Sequence, residues 1–274
     1  MRHPVVIFVH IGALDINVTQ PILNRMFCNL QSSGLYDAAD KIYCGIVGKD
    51  LSSVQLPGKV EILFKNYDAS VYEIPTINQV RLFAENNPNW HILYMHTKGA
   101  TNKLCNGVNY QQMWSDAMQY FCIHRYERCI DLLDKGYDAV GCLLQTHLGI
   151  FGTHYCGNFW WASSDHIRTR PYLPKDLTGW GKRAETWLIP MVNVNVKVAS
   201  LYNSKLTRSS TPPCSGLYGN ALHDYETTDP DLLLTPSPLP AVVLVILLVT
   251  FVATCVGLCV RLAKKARHLR SKKG

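Results

Sequence analysis

The sequence predicts an α/β fold, a mostly parallel β-sheet with helices on both faces, followed by a C-terminal transmembrane helix. Short apolar runs alternate with amphipathic segments through the first 208 residues, and an uncharged apolar stretch begins at Ala241 and ends at Val260. Only 17% of the 274 residues are charged, which is less than in a typical soluble domain. We therefore expect an α/β domain over residues 1–208, a Ser/Thr/Pro-rich extended stalk over 209–240, a membrane span over 241–260 and a basic tail over 261–274.

The order of strands and helices in the domain follows from the spacing of its apolar residues. Continuous β-branched runs are typical of strands buried on both faces of a parallel sheet, whereas apolar residues three or four apart indicate helices. Alternation of the two is the pattern of a mostly parallel sheet. We expect strands at residues 5–10, 41–47, 59–64, 90–95, 138–144 and 192–198, and helices at 21–30, 75–86, 110–135 and 184–189.

The charge distribution favours a single-pass membrane protein. A helix over the 20 residues of the apolar stretch would be about 30 Å long, the thickness of the hydrocarbon core of a bilayer. Seven Lys and Arg residues and no acidic residue follow it, and the rest of the chain has equal numbers of basic and acidic residues. The tail therefore suits anionic lipid headgroups, and the domain has no charge pattern that indicates nucleic-acid binding.

The side of the membrane that holds the large domain stays open. The basic tail is expected to be cytoplasmic, which would place residues 1–240 outside the cell or in a lumen. The N-terminus has no convincing signal peptide, since Pro4 and His10 interrupt its short apolar run, and this favours a tail-anchored domain in the cytosol.

The ten cysteines form neither a CxxC pair nor a Cys/His run with zinc-ligand spacing. Their spacing therefore predicts no structural zinc site. Most of them lie in apolar stretches, where buried free thiols are the simplest interpretation.

The first candidate for chemistry is the segment His96-Thr97-Lys98-Gly99, directly after the expected fourth strand. Ligands of open parallel sheets bind outside the carboxyl ends of the strands, and a cation beside a flexible glycine there suits a phosphate or diphosphate. We therefore assign these four residues to diphosphate binding. A polar turn with a solvated lysine is the alternative interpretation.

The second candidate is the run HYCGNFWWA, which begins at residue 154. Neighbouring residues of a strand point to opposite faces, so we expect at least one of Trp160 and Trp161 to line a cleft or to pack under a loop. Aromatic faces beside polar groups suit sugar rings, and plain core packing is the alternative. The residues assigned to sugar or acceptor binding are His154, Tyr155, Asn158, Trp160 and Trp161.

Two carboxylates are candidates for a general base. Glu185 lies in the expected helix at 184–189, and Asp165 lies close to the tryptophan pair. Either side chain could accept a proton from a hydroxyl group, and either could instead stabilise the N-terminus of a helix. Residue spacing alone favours the helix-end role for Glu185.

Taken in order, the segments YMHTKGA, VGC, HYCGNFWWA and ETW resemble a group of glycosyltransferases found in large DNA viruses and bacteria. The resemblance covers about residues 5–205, and the Asn-Phe-Trp-Trp run after His-Tyr-x-Gly is its most specific part. It implies a GT-A-like, Rossmann-related fold that binds a nucleotide-sugar donor at the carboxyl edge of the sheet. It also implies a glycan, glycoprotein or glycolipid acceptor, with Glu185 as the base and Asp165 in reserve.

One departure from that pattern concerns the divalent cation. Many GT-A enzymes hold Mn²⁺ or Mg²⁺ with an Asp-x-Asp after the strand that here ends at Met95, where this chain has His96-Thr97-Lys98. Its only Asp-x-Asp begins at Asp229, in the expected stalk. Our hypothesis is that Lys98 and His96 offset the charge of the leaving diphosphate directly.

Two alternatives remain open at this point. A metal held by His96, His154 and a carboxylate would also neutralise a diphosphate. A membrane-anchored carbohydrate-binding protein without catalytic activity would also fit the missing Asp-x-Asp and the long stalk.

Overall fold

The computed structural model describes residues 2–98, 110–145, 153–174, 182–190 and 196–202. The strands in these ranges are β1 (Val5–Ala13), β2 (Lys41–Gly48), β3 (Val60–Asn66), β4 (His91–His96), β5 (Ala139–Gly141), β6 (Leu144–Gln145), β7 (His154–Tyr155), β8 (Trp160–Ser163) and β9 (Val198–Ser200). The helices are α1 (Ile16–Ser32), α2 (Leu35–Ala38), α3 (Ile74–Asn86), α4 (Tyr110–Gln119), α5 (Tyr126–Asp134), α6 (Ser164–Ile167) and α7 (Lys182–Glu185).

The central sheet has the strand order β3-β2-β1-β4-β8-β5-β9. Strands β3, β2, β1 and β4 are parallel to one another, and β5 is parallel to β9. Strand β8 runs antiparallel to both of its neighbours, β4 and β5. The predicted mostly parallel α/β sheet is therefore confirmed, with one reversed strand inserted between its two parallel parts.

Helices cover both faces of the sheet. Helices α1, α4 and α5 bury their apolar side chains against one face, and α3 and α6 cover the other. Strand β1 is buried along nearly all of its length, as expected for a central parallel strand. Among the described cysteines, four have free and buried thiols, as their apolar surroundings predict; they are Cys44, Cys122, Cys129 and Cys142.

Helix α1 begins at Ile16 rather than at Pro21. Its N-cap is Asp15, whose carboxylate accepts a hydrogen bond from the amide of Asn17 at 2.9 Å. This cap satisfies an amide that the first turn leaves unpaired, and so it determines where the helix starts. Pro21 consequently lies inside the helix instead of in its first turn.

The long helix expected over residues 110–135 is divided into α4 and α5 by a π-helical turn at Tyr120–His124. The carbonyl of Cys122, which lies in this turn, accepts a hydrogen bond from the indole Nε1 of Trp161 at 2.8 Å. The wider turn is therefore stabilised by a partner from the sheet, which the periodicity of the helix does not reveal.

The expected elements after residue 138 are shorter than predicted. Leu143, with φ of 57°, separates β5 from β6 in what was expected to be one strand. Helix α7 ends at Glu185 instead of residue 189, and the last strand of the described residues is Val198–Ser200. Residues 192–195 lie outside the described part of the chain.

The expected stalk, membrane span and basic tail, residues 209–274, lie outside the described residues. Among the helices that the structure does describe, none combines the length and apolar character that crossing a bilayer requires.

Candidate functional site

Two histidines lie side by side at the carboxyl end of the parallel strands. His10 of β1 and His96 of β4 are register partners, and both are almost fully buried. The Nδ1 of His10 lies 2.9 Å from Oγ1 of Thr76 at the start of α3. The Nε2 of His96 donates to the carbonyl oxygen of Gly157 at 2.8 Å. This last bond joins the end of β4 to the loop between β7 and β8.

Glu73, directly before α3, is the acidic centre of this edge. Its Oε2 accepts hydrogen bonds from the hydroxyl of Tyr94 at 2.7 Å and from Nδ2 of Asn158 at 2.6 Å. Its Oε1 lies 3.6 Å from Nδ1 of His96, and the side chain keeps 17% of its surface exposed. Burial raises the pKa of this carboxyl, but the charges of His96 and His10 and the two hydrogen bonds outweigh burial and leave the pKa below its usual value.

Sequence reasoning missed Glu73. Its partners lie 21 and 85 residues away along the chain, so no local spacing reports the contact. The one local signal is an acidic residue at the start of a helix, which ordinarily indicates only a favourable interaction with the helix dipole.

Gly157 and Asn158 form the turn that contacts His96 and Glu73. Both polar atoms of the Asn158 side chain are hydrogen-bonded. Its Oδ1 accepts a hydrogen bond from Nε1 of Trp160 at 2.9 Å, and its Nδ2 donates one to Glu73. The amide of Gly157 donates to Oε1 of Glu185 at 3.3 Å. Glu185 and His96 therefore contact the same residue: Glu185 accepts from the N–H of Gly157, and His96 donates to its carbonyl oxygen.

Lys98 lies beside the same turn. Its Nζ is 4.0 Å from the centre of the Trp114 ring, and the indole Nε1 of Trp114 donates to the carbonyl of Cys156 at 3.3 Å. The ammonium group is thus held near the Gly157 turn by a cation–π contact. The neighbouring Thr97 is buried and accepts a hydrogen bond from the amide of Gly12, which ties the end of β4 to β1. Gly99 lies outside the described residues.

The tryptophan pair does not line a cleft. Trp160 and Trp161 point to opposite faces of the sheet, as neighbours in a strand do. Because helices cover both faces, at most 1% of the surface of either residue is exposed. Tyr155 is also buried, and its hydroxyl donates to the carbonyl of Ala199 at 2.8 Å. His154 is 6% exposed in β7. We therefore assign the aromatic part of this run to the core, and the polar turn before it to the site.

Asp165 lies at the opposite end of the strands from the Gly157 turn. Because β8 is antiparallel to β4, Trp160 pairs with Tyr94 and Ser163 with His91, so the chain after Ser163 continues where β4 begins. The length of β4 separates the two edges by about 17 Å. Asp165 occupies the first turn of α6 and lies 3.2 Å from the guanidinium of Arg168. It stabilises that short helix, and the structure does not bring it together with Glu185 and the Gly157 turn, as a reserve base would require.

The donor set at this edge does not fit a divalent cation. Within the described residues, no group of three His, Cys, Asp or Glu side chains with metal-ligand spacing occurs here. Both oxygens of Glu73 already face hydrogen-bond or charge partners. The cationic side chain that the structure describes beside this turn is Lys98.

Gly157 is the position of the turn that tolerates a side chain least. Its φ is 93°, and an added Cβ would lie 2.4 Å from Sδ of Met118 and 2.9 Å from Nε1 of Trp114. We expect Gly157→Ala to lower the free energy of unfolding by about 2 kcal/mol or more, from backbone strain and overpacking together. Urea unfolding measures the change. Gly58→Ala is the matched control, because open space surrounds Gly58; equal stability of the two variants would contradict the expectation.

His10 should make the fold sensitive to acid. Burial lowers the pKa of His10 to about 4, and the charge of His96 adds to this while Glu73 opposes it. Between pH 6.5 and 4 the unfolded chain binds a proton that the native imidazole does not, so stability falls as the pH falls. We expect His10 to account for a loss of about 3 kcal/mol between about pH 7 and pH 4.

Urea unfolding of the wild type and of His10→Gln across this pH range tests the expectation. The variant should lose less stability on acidification, whatever its stability at neutral pH. Parallel pH dependences in the two proteins would refute the assignment.

No protein-family model matches the chain, and no curated protein matches it. Among solved structures, the 4-diphosphocytidyl-2C-methyl-D-erythritol synthase of Anaerococcus prevotii DSM 20548 is similar with a TM-score of 0.39 and 10% identity, over 74% of this chain and 90% of that one. HddC of Yersinia pseudotuberculosis gives 0.36 and 11%, over 70% and 88%. Rv0371c of Mycobacterium tuberculosis H37Rv gives 0.34 and 9%, over 64% and 80%. Similarity at this level supports no functional inference.

Proposed function

We propose that this protein is a glycosyltransferase with a GT-A-like fold, which moves a sugar from a nucleotide-sugar donor to a glycan, protein or lipid acceptor. The observation that carries the proposal is the hydrogen bond from His96 to Gly157, which joins the two segments of the HTKG and HYxGN patterns at one edge of the sheet. Lys98 and Glu185 both lie beside that turn.

The donor diphosphate is assigned to the Lys98 side of the turn. Ligands of open α/β sheets bind at the carboxyl ends of the strands, where β1 and β4 end here. The ammonium of Lys98 is half-buried and placed by the Trp114 ring, so it can face an anion without a large reorganisation. His96 and Asn158 position the turn and Glu73 and do not bind the donor, because they already form hydrogen bonds with Gly157, Glu73 and Trp160.

Glu185 is assigned as the general base. In the transfer step its carboxylate takes the proton of the acceptor hydroxyl, and the acceptor oxygen forms a bond to the anomeric carbon. The bond from that carbon to the diphosphate oxygen breaks, and the nucleoside diphosphate leaves with the electron pair and its charge beside Lys98. A carboxylate that is only partly buried remains reachable for such a hydroxyl.

The acceptor is expected at a membrane. The sequence places an apolar span and a basic tail after the domain, which would hold it close to lipid-linked or membrane-protein glycans.

The test uses the full-length protein purified in detergent and a panel of nucleotide-sugars, with and without oligosaccharide acceptors. Release of nucleoside diphosphate together with a mass increase of one sugar on an acceptor is the expected result. Glycan binding with no release from any donor would overturn the proposal and favour a carbohydrate-binding protein.

A further inference from the structure

A second cluster of potential ligands lies at the opposite edge of the sheet, where β4 begins. It joins His3 of the N-terminal segment, His91 of β4 and Asp134 at the end of α5. One nitrogen of each histidine and one carboxylate oxygen all lie within 4.8 Å of one another. The Nε2 of His91 is 2.8 Å from Oδ1 of Asp134, and the Nε2 of His3 is 3.9 Å from the same oxygen.

We propose that His3, His91 and Asp134 form a zinc site, with water as the fourth ligand. Imidazole nitrogens and a carboxylate oxygen are ligands that Zn²⁺ takes in tetrahedral sites. Ligand atoms at zinc-bond distances lie about 3.3 Å apart in a tetrahedron. The observed separations of 2.8 and 3.9 Å lie on either side of this value, so small side-chain shifts would complete the site.

His3 is already oriented for a metal ion. Its Nδ1 lies 2.9 Å from the carbonyl oxygen of Asn89, which places a proton on Nδ1 and leaves the lone pair of Nε2 directed at the cluster. A hydrogen bond from the far ring nitrogen to a backbone carbonyl is the usual support of a metal-binding histidine. The cluster is also open to solvent, since 42% of the His3 side chain and 46% of the Asp134 side chain are exposed.

The charge arrangement also favours a cation. Asp134 is the last residue of α5, where the helix dipole disfavours a negative charge. The helix offers this carboxylate no stabilisation, and a divalent ion would supply it.

The affinity should be moderate. In the metal-bound form the proton of His91 must lie on Nδ1, which is buried and has no hydrogen-bond partner within the described residues. An unpaired buried donor weakens the site. We therefore expect a Kd on the order of 1–10 µM, weaker than in zinc-finger sites.

The experiment titrates Zn²⁺ alone into full-length protein that carries no polyhistidine tag and has been stripped with a chelator. Calorimetry should show one zinc per chain, and a hundredfold excess over Kd should raise the thermal midpoint by about 5 °C. His3→Ala and Asp134→Asn should each weaken binding about tenfold or more. Both change exposed side chains, and the amide oxygen introduced by Asp134→Asn would still accept a hydrogen bond from His91, so both variants should fold.

Asp131→Asn is the matched control, because Asp131 is an exposed carboxylate on the same helix that pairs with Arg128 and Lys135. It should bind zinc like the wild type. Wild-type affinity in His3→Ala and Asp134→Asn would overturn the proposal, as would a wild-type protein that binds no zinc in this range. Neither result depends on sugar transfer, so the proposed function is tested separately.

Discussion

Lys98→Met is expected to lower the rate of sugar transfer by a factor of about 100 to 1,000 while leaving the fold intact. The loss follows because a preorganised cation would no longer face the charge that develops on the leaving diphosphate. Methionine keeps an unbranched apolar side chain against Trp114, so the packing beside the Gly157 turn should survive. Turnover of nucleotide-sugar by the full-length protein, with thermal unfolding as the check on folding, measures the effect.

Lys197→Met is the matched control for this experiment. Its Nζ lies 4.1 Å from the centre of the Tyr137 ring, so the variant loses a similar cation–π contact. Lys197 directly precedes β9. The pairing of β9 with β5, and of β5 with β8, places the start of β9 at the end of the strands away from the Gly157 turn. Its replacement should leave turnover within about twofold of the wild-type rate. Equal losses in the two variants, or unchanged turnover in Lys98→Met, would remove Lys98 from the mechanism.

Glu185→Gln is expected to lower the transfer rate by a factor of about 100 to 10,000, the usual contribution of a general base. Glutamine retains an oxygen that can accept the hydrogen bond from the Gly157 amide, so the turn should be preserved. The loss should therefore fall on kcat, with little change in the thermal midpoint.

Asp165→Asn separates this role from a general effect of removing a carboxylate. Asp165 is exposed at the far edge of the sheet and pairs with Arg168, so its replacement should not alter the transfer rate. Normal activity in Glu185→Gln would indicate that Glu185 is not the base and has only a structural role at the end of α7. A loss confined to Asp165→Asn would contradict the placement of the site.

The sequence predicts the parallel part of the sheet well, because β1, β2 and β4 are nearly continuous apolar runs with helices between them. Strand β8 is not predicted. It has only four residues and lies in a region where apolar periodicity is weak, so its direction is decided by contacts with β4 and β5.

The sequence predicts only those residues of the candidate site that lie within a single recognisable segment. His96 and Lys98 follow a recognisable strand, and Gly157 and Asn158 lie in a distinctive run. Glu73 could not be found, since the contacts that make it central come from β4 and from the turn before β8. The sequence leaves the role of the tryptophans open for a related reason, because residue alternation says which faces they occupy and not what covers those faces.

The reversed direction of β8 divides one continuous segment into two parts that make different contacts. The segment enters the sheet at the edge where Gly157 and Asn158 lie, and it leaves at the far edge after passing between both apolar layers. Substitutions at its entrance should therefore disturb the hydrogen bonds to His96, Glu73 and Glu185 as well as the local packing. Truncation of Trp160 or Trp161 should act through a cavity in the core, and so through misfolding. The run HYCGNFWWA thus joins a polar turn to two core indoles, so residues that are close neighbours along the chain differ in what their substitution disturbs.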